Sequence, residues 1–83
     1  MEMKNFNDLE FIEHPSTFGG GFAKMMFENN YGILVYDGKF GHYEIDVLDS
    51  NGNQTYNTIV TKDTITNANV NKINEIMEQI QKL

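Results

Sequence analysis

The alternation that decides the fold is Tyr43-Glu44-Ile45-Asp46-Val47-Leu48, followed after two residues by Asn51-Gly52. Apolar and acidic side chains alternate with a period of two, which is typical of an antiparallel strand with one covered and one solvated face. Asn-Gly is a strong hairpin signal, because a type I′ turn requires positive φ at both central positions. The stretch therefore predicts a strand and a hairpin, with residues 54–61 pairing back as the next strand.

Two more strands are predicted upstream of this hairpin. Residues 31–37 carry bulky side chains on both faces, which favours a central strand. Before them, a period of two runs from Phe22 to Glu28. Glu28-Asn29-Asn30 predicts the turn between these strands, because asparagine tolerates positive φ.

The N-terminal segment fits two alternatives. Asn7 with Glu10 three positions on resembles a helix N-cap, and predicts a short helix over residues 7–13 that ends before Pro15. The same residues also fit a strand.

The C-terminal segment predicts an amphipathic helix that begins at an N-cap at Thr66 or Asn67. Its apolar residues recur every three or four positions and form one stripe: Val70, Ile73, Ile76, Met77, Ile80 and Leu83. This stripe must cover the apolar side of the sheet. The sequence thus predicts an α+β fold, an antiparallel three- to four-stranded β-meander with the helix packed on one face, as a single domain over residues 1–83.

The charge of the chain disfavours nucleic acid as a direct partner. The 83 residues include twelve acidic residues and six lysines. They include no arginine, the residue that most often binds phosphate and guanine. Residues 1–63 hold ten of the acids and four of the lysines, so the net charge of −6 belongs to this part. A negative field of this kind fits a protein partner with a basic surface.

The composition also bears on the compartment. The chain has no cysteine, which excludes disulfides, zinc–thiolate sites and thiol catalysis. Its N-terminus lacks the pattern of a signal peptide, and no apolar run approaches the roughly 20 residues needed to cross a bilayer. We therefore expect a cytosolic protein, in the cytoplasm of a host cell, with no membrane contact.

No motif predicts a catalytic residue, a cofactor or a metal. Asp49 to Asn53 resembles the start of a calcium loop, but its glycine is at the fourth position rather than the sixth. Gly19-Gly20-Gly21 precedes a strand, whereas phosphate cradles precede a helix. His14 and His42 have no metal-ligating neighbour at the required spacing, and Ser16 is too close in sequence to His14 for a nucleophile–base pair. We therefore expect a protein that is not an enzyme.

The acidic positions of the strands are the candidate partner-binding residues. Glu44 and Asp46 share one face of a strand, either as a solubilising surface or as an acidic docking surface, and paired carboxylates in a pocket could also support acid–base catalysis. If the strands pair as predicted, Glu28 and Asp37 join this surface. Aromatic side chains would anchor the contact. The predicted site is Glu28, Tyr36, Asp37, Phe40, Glu44 and Asp46.

A second apolar set lies on sheet positions that one helix does not cover: Phe22, Met26, Leu34 and Tyr36. Two interpretations are open. The set either forms a small second core with the N-terminal segment, or it forms a patch for a protein partner or a homodimer, since contiguous exposed apolar area usually marks a contact.

Several blocks of the chain resemble small phage and prophage proteins of low-GC Gram-positive bacteria. They are 18–24, 27–32, 43–48 and 58–76, a pattern of glycines, aromatic and aliphatic residues spread over roughly residues 11–83. The resemblance implies a shared fold and no assigned activity. Small acidic phage proteins often block host defence, anti-CRISPR proteins among them. The resemblance thus favours an inhibitor that occludes a basic, nucleic-acid-handling surface of a host protein such as a CRISPR nuclease; the alternative is a homo-oligomeric phage accessory or structural protein.

Overall fold

The computed structural model describes residues 3–13, 21–38 and 42–83. Within them, one antiparallel sheet has its strands in sequence order and one α-helix follows it, so the predicted α+β meander is confirmed. The sheet has one strand more than expected, because a two-residue strand pairs at its edge. The elements are β1 (Ile12–Glu13), β2 (Gly21–Met26), β3 (Gly32–Asp37), β4 (Tyr43–Leu48), β5 (Ile65–Ala68) and α1 (Val70–Gln81).

The core lies between α1 and one face of the sheet. The period of two brings Ile33 and Val35 of β3 beside Val47 and Ile45 of β4, and all four side chains are fully buried. The apolar stripe of α1 covers them with Ile73, Ile76, Met77 and Ile80. Each such side chain stabilises the fold by about 1.5–3 kcal/mol on burial. The prediction that the helix covers this side of β4 is confirmed.

The N-terminal segment completes the cover on the same face. A 3-10 helix over Phe6–Asp8 begins at Asn5, whose side chain and that of Asp8 form a reciprocal capping box. Both predicted alternatives for residues 7–13 are thus partly right: a helical turn starts at Phe6, one residue earlier than expected, with Asn5 rather than Asn7 as its N-cap, and β1 follows it. Leu9 packs into the core, and Phe6 lies against its edge.

The region between β4 and α1 differs from the prediction. Residues 54–61 do not form a strand; they make a single bridge, Leu48 to Gln54, and then leave the sheet. The strand beside β4 is β5, which occupies the predicted start of the helix. The helix N-cap is therefore Asn69, whose side chain accepts a hydrogen bond of 2.8 Å from Lys72 N. The strand has only four residues, and two of them, Asn67 and Ala68, are of types depleted in strands, so the sequence pattern conceals it.

The two predicted turns that fall within the described residues use positive φ as expected, although one differs in type. Asn30 has φ 69° in the turn between β2 and β3, which confirms that prediction. After β4, however, the positive φ belongs to Gly52 and not to Asn51. The loop is therefore a three-residue turn closed by Asp49 N to Asn53 O at 2.8 Å, and not a type I′ turn.

Candidate functional site

The sheet has a second face, on the side away from α1. The strand register puts Ile12, Phe22, Tyr36 and Glu44 in one row across four strands. In the next row, Lys24 and Leu34 lie beside Asp46. The part of this face over β1 to β3, together with the start of β4, is called the open face: Ile12, Phe22, Lys24, Met26, Leu34, Tyr36 and Glu44.

The open face is mainly apolar and accessible. Ile12 is 61% exposed, Met26 42% and Tyr36 39%, while Phe22 and Leu34 are half-buried. The rings of Phe22 and Tyr36 lie with centroids 6.4 Å apart. Contiguous exposed apolar groups of this kind are typical of contact surfaces, and aromatic and methionine side chains are enriched in them.

The β4 side of the same face is covered by residues 54–64. This segment turns back over the strand and is held there by hydrogen bonds to the Asp46 carboxylate. Gln54 Nε2 donates to Oδ2 at 2.8 Å, while the hydroxyls of Tyr56 and Thr64 donate to Oδ1 at 3.2 and 2.6 Å. Asp46 is consequently only 3% exposed, and Leu48 on the same side is 1% exposed.

The prediction of Asp46 on a solvated face is therefore wrong. The carboxylate stabilises the covering segment and is not accessible to a partner. One signal in the sequence pointed to this: Leu48 has the same parity as Asp46, so the face changes from exposed to covered along β4. The three donors lie 8 to 18 residues further along the chain. The period of two does not predict that they fold back over β4.

The other predicted residues do not gather on one surface either. Asp37 pairs with Tyr43 and lies on the α1 side of the sheet, opposite to Glu44. Glu28 is exposed in the turn after β2, at the other end of the strands. Phe40 lies outside the described residues. Of the six predicted partner-binding residues, Tyr36 and Glu44 are direct cross-strand neighbours on the open face.

Several carboxylates have local structural roles. Asp8 accepts a hydrogen bond from Asn5 N at 2.9 Å, and Asp49 Oδ1 accepts from the amides of Asn51 and Asn53. Asp63 accepts from Thr64 N at 2.8 Å. These bonds shape turns and caps, so part of the acidity of residues 1–63 is used inside the fold.

The helix neutralises its own charges. Lys72 lies 3.6 Å from Glu75, and Lys82 Nζ donates to Glu78 Oε1 at 2.8 Å. The hydrogen bond from Lys82 and its charge lower the pKa of the Glu78 carboxyl. Both pairs are exposed, so they add little to stability. In the described part of the chain, the exposed carboxylates without a hydrogen bond or an ion pair are Glu10, Glu28 and Glu44.

A groove of about 380 Å³ lies where the N-terminal segment meets the end of α1. Its amide side chains already have partners: Asn29 Nδ2 donates to Ile80 O at 2.8 Å, and Gln81 bonds both the N–H and the C=O of Lys4 at 2.8 Å. The two bonds of Gln81 join the N-terminal segment to α1, and the bond of Asn29 joins the β2–β3 turn to α1. The lining residues are Met3, Lys4, Met26, Phe27, Glu28, Asn29 and Gln81.

The described residues hold no group of three or more His, Cys, Asp or Glu side chains able to bind a metal. His42 is exposed; His14, Ser16, Gly19 and Gly20 lie outside the described residues. Across residues 3–13, 21–38 and 42–83, no helix has the length and apolar character needed to span a membrane.

No protein-family model, no curated protein and no solved structure matches this chain. The resemblance to phage proteins therefore stays a hypothesis.

Proposed function

We propose that this chain is a non-catalytic protein-binding module that docks through its open face on a partner protein with a basic surface. The observation that carries the proposal is the row of accessible apolar side chains from Ile12 to Tyr36, bordered by the exposed carboxylate of Glu44. Apolar contact would supply most of the affinity. The net charge of −6 would steer the encounter.

The two strand carboxylates considered for acid–base chemistry support a binding role better than catalysis. Glu44 is exposed, and Asp46 is buried among three neutral donors. General acid–base catalysis requires a group that can reach a substrate proton. The buried carboxylate instead holds the segment 54–64 that borders the open face.

The finer proposal concerns the identity of the partner. We propose a cytosolic host defence protein that handles nucleic acid, such as a CRISPR nuclease, whose basic surface the module occludes. The support for it is the sequence resemblance to phage proteins, together with small size and acidity. The alternative is a homo-oligomeric phage accessory or structural protein, which the same open face would also serve.

The test compares capture of proteins from a bacterial host by two charge-matched variants. Tyr36→Lys adds a cation in the open face, whereas Asn71→Lys adds one at an exposed position on α1. A true partner, quantified by mass spectrometry, is captured by the wild type and by Asn71→Lys and is lost with Tyr36→Lys. Its capture should also weaken as the salt concentration rises. If Tyr36→Lys captures the same proteins in the same amounts, the open face is not the docking surface.

A functional readout separates occlusion from simple binding. The purified partner is assayed for nucleic-acid binding in the presence of the wild type or Tyr36→Lys. Competition by the wild type alone supports inhibition by occlusion. A ternary complex with nucleic acid would contradict that mechanism.

A further inference from the structure

Two opposite charges flank the centre of the open face. Lys24 is on β2 and Glu44 on β4, with Leu34 and Tyr36 of β3 between them. From the usual strand spacing and rise, the two Cα atoms are about 12 Å apart across the face. Both side chains are exposed, and neither forms an ion pair within the described residues.

This arrangement is complementary to itself. A two-fold axis in the plane of the interface, perpendicular to the line from Lys24 to Glu44 and crossing β3 between Leu34 and Tyr36, exchanges the two charged positions. Lys24 of each copy then faces Glu44 of the other, as an isologous interface requires. The same operation brings the ring pair of Phe22 and Tyr36 in one copy against that pair in the other.

We propose that the open face binds the open face of a second copy, so that the free protein is a two-fold homodimer. The local charge of the open face favours a second copy as its partner. Within this face the charges of Lys24 and Glu44 cancel, whereas the chain as a whole carries a net charge of −6. Two acidic molecules therefore meet where their mutual repulsion is least. The Lys24 ammonium lies beside the turn at Gly52, and its flexible four-carbon stem lets it reach a facing carboxylate.

The dimer is weak and reversible. A standard interface covers about 800 Å² on each partner, roughly one seventh of the 5588 Å² surface of this molecule. The open face spans only the six-residue strands β2 and β3 with the ends of β1 and β4, so it falls below that size. The inference shares this face with the proposed function, and self-association and partner binding therefore exclude each other.

Charge reversal tests the dimer without any other protein. Sedimentation equilibrium up to millimolar concentration should show a monomer–dimer equilibrium for the wild type. Lys24→Glu and Glu44→Lys should each weaken dimerisation roughly tenfold, because two attractive pairs become repulsive. The double variant Lys24→Glu/Glu44→Lys restores both pairs and should return to within about threefold of the wild type. Lys82→Glu, at the C-cap of α1 and away from the open face, is the control and should leave dimerisation unchanged.

Two results would overturn the inference: a wild type that stays monomeric at millimolar concentration, or single and double reversals with equal effects. Circular dichroism of each variant checks that the fold is intact, which is expected because both positions are exposed.

A second measurement uses the absence of cysteine. A mixture of Lys24→Cys and Glu44→Cys chains should oxidise mainly to the disulfide-linked heterodimer, since the axis places these positions opposite each other. A statistical mixture of linked species contradicts this geometry. Neither measurement involves the proposed partner, so failure here leaves the proposed function to its own test.

Discussion

Thr64 Oγ1 donates a hydrogen bond of 2.6 Å to Asp46 Oδ1 and so joins positions 18 residues apart in the sequence. The bond holds the end of the segment 54–64 against β4. Tyr56 donates to the same oxygen and also lies 3.2 Å from the Thr64 hydroxyl. One buried carboxylate thus holds the irregular segment that connects β4 to β5. A buried anion is costly unless its lone pairs are satisfied, and here neutral donors satisfy them.

Removing this acceptor should destabilise the fold. We expect Asp46→Ala to lower the free energy of unfolding by about 2–3 kcal/mol, because three donors lose a charged acceptor. Asp46→Asn should cost less, about 1 kcal/mol, because hydroxyl groups can turn and accept from the new amide. Urea unfolding measures both values. Glu44→Gln, on the same strand but exposed, should stay within about 0.5 kcal/mol of the wild type. Equal losses for Asp46→Ala and Glu44→Gln would contradict the role given to the network.

The strands with clear alternation were predictable because their burial follows from local pattern. β4 has the predicted bounds, and the stripe from Ile73 to Ile80 determines the buried side of α1. The period of two also determines which side chains share a face, and Tyr36 and Glu44 lie side by side on the face away from α1. These features need no knowledge of distant residues.

Most of the wrong predictions concern features that depend on contacts between residues distant in the sequence. Burial of Asp46 requires Gln54, Tyr56 and Thr64 to close over it, and β5 is a strand only because β4 offers it an edge. The prediction that Asp37 shares a surface with Glu44 is wrong, because parity along a strand, and not charge, decides which face a side chain occupies. Alternation along β3 places Asp37 with Ile33 and Val35, on the α1 side.

The position of the helix N-cap, Asn69 instead of the predicted Thr66 or Asn67, can also be tested. Asn69 accepts from Lys72 N, so Asn69→Ala should lower the free energy of unfolding by about 1 kcal/mol. Thr66→Ala, at a predicted cap that lies in β5, should change it by less than about 0.5 kcal/mol. Asn67 has φ 55°, a conformation that glycine adopts freely, so Asn67→Gly should be tolerated. Thermal unfolding of the three variants decides the matter, and a larger loss for Thr66→Ala than for Asn69→Ala would contradict this cap.

Alkaline pH should weaken the fold through Tyr43. Burial raises the pKa of the Tyr43 hydroxyl above its usual value of 10.0, and the Asp37 carboxylate raises it further. The folded state therefore holds this proton more tightly than the unfolded state does. The resulting stability is fully present below pH 10 and is lost as the pH rises through the folded-state pKa. Tyr43→Phe should make the decline in stability above pH 10 shallower, and Asp37→Asn should do so in part. Urea unfolding at several alkaline pH values measures the slopes; identical slopes for Tyr43→Phe and the wild type would contradict the assignment.

The N-terminal segment depends on two side chains of α1. Gln81 bonds both backbone groups of Lys4, and Asn74 Oδ1 accepts from Phe6 N at 2.8 Å. We expect Gln81→Ala to accelerate hydrogen exchange at the Lys4 amide and Asn74→Ala to accelerate it at the Phe6 amide, each costing about 1 kcal/mol. Exchange measured by NMR separates the two effects residue by residue. Gln79→Ala, an exposed neighbour on the same helix, is the matched control and should leave both amides protected. These bonds are polar contacts between the N-terminal segment and α1, so unchanged protection in both Gln81→Ala and Asn74→Ala would mean that Phe6 and Leu9 hold the segment by packing alone.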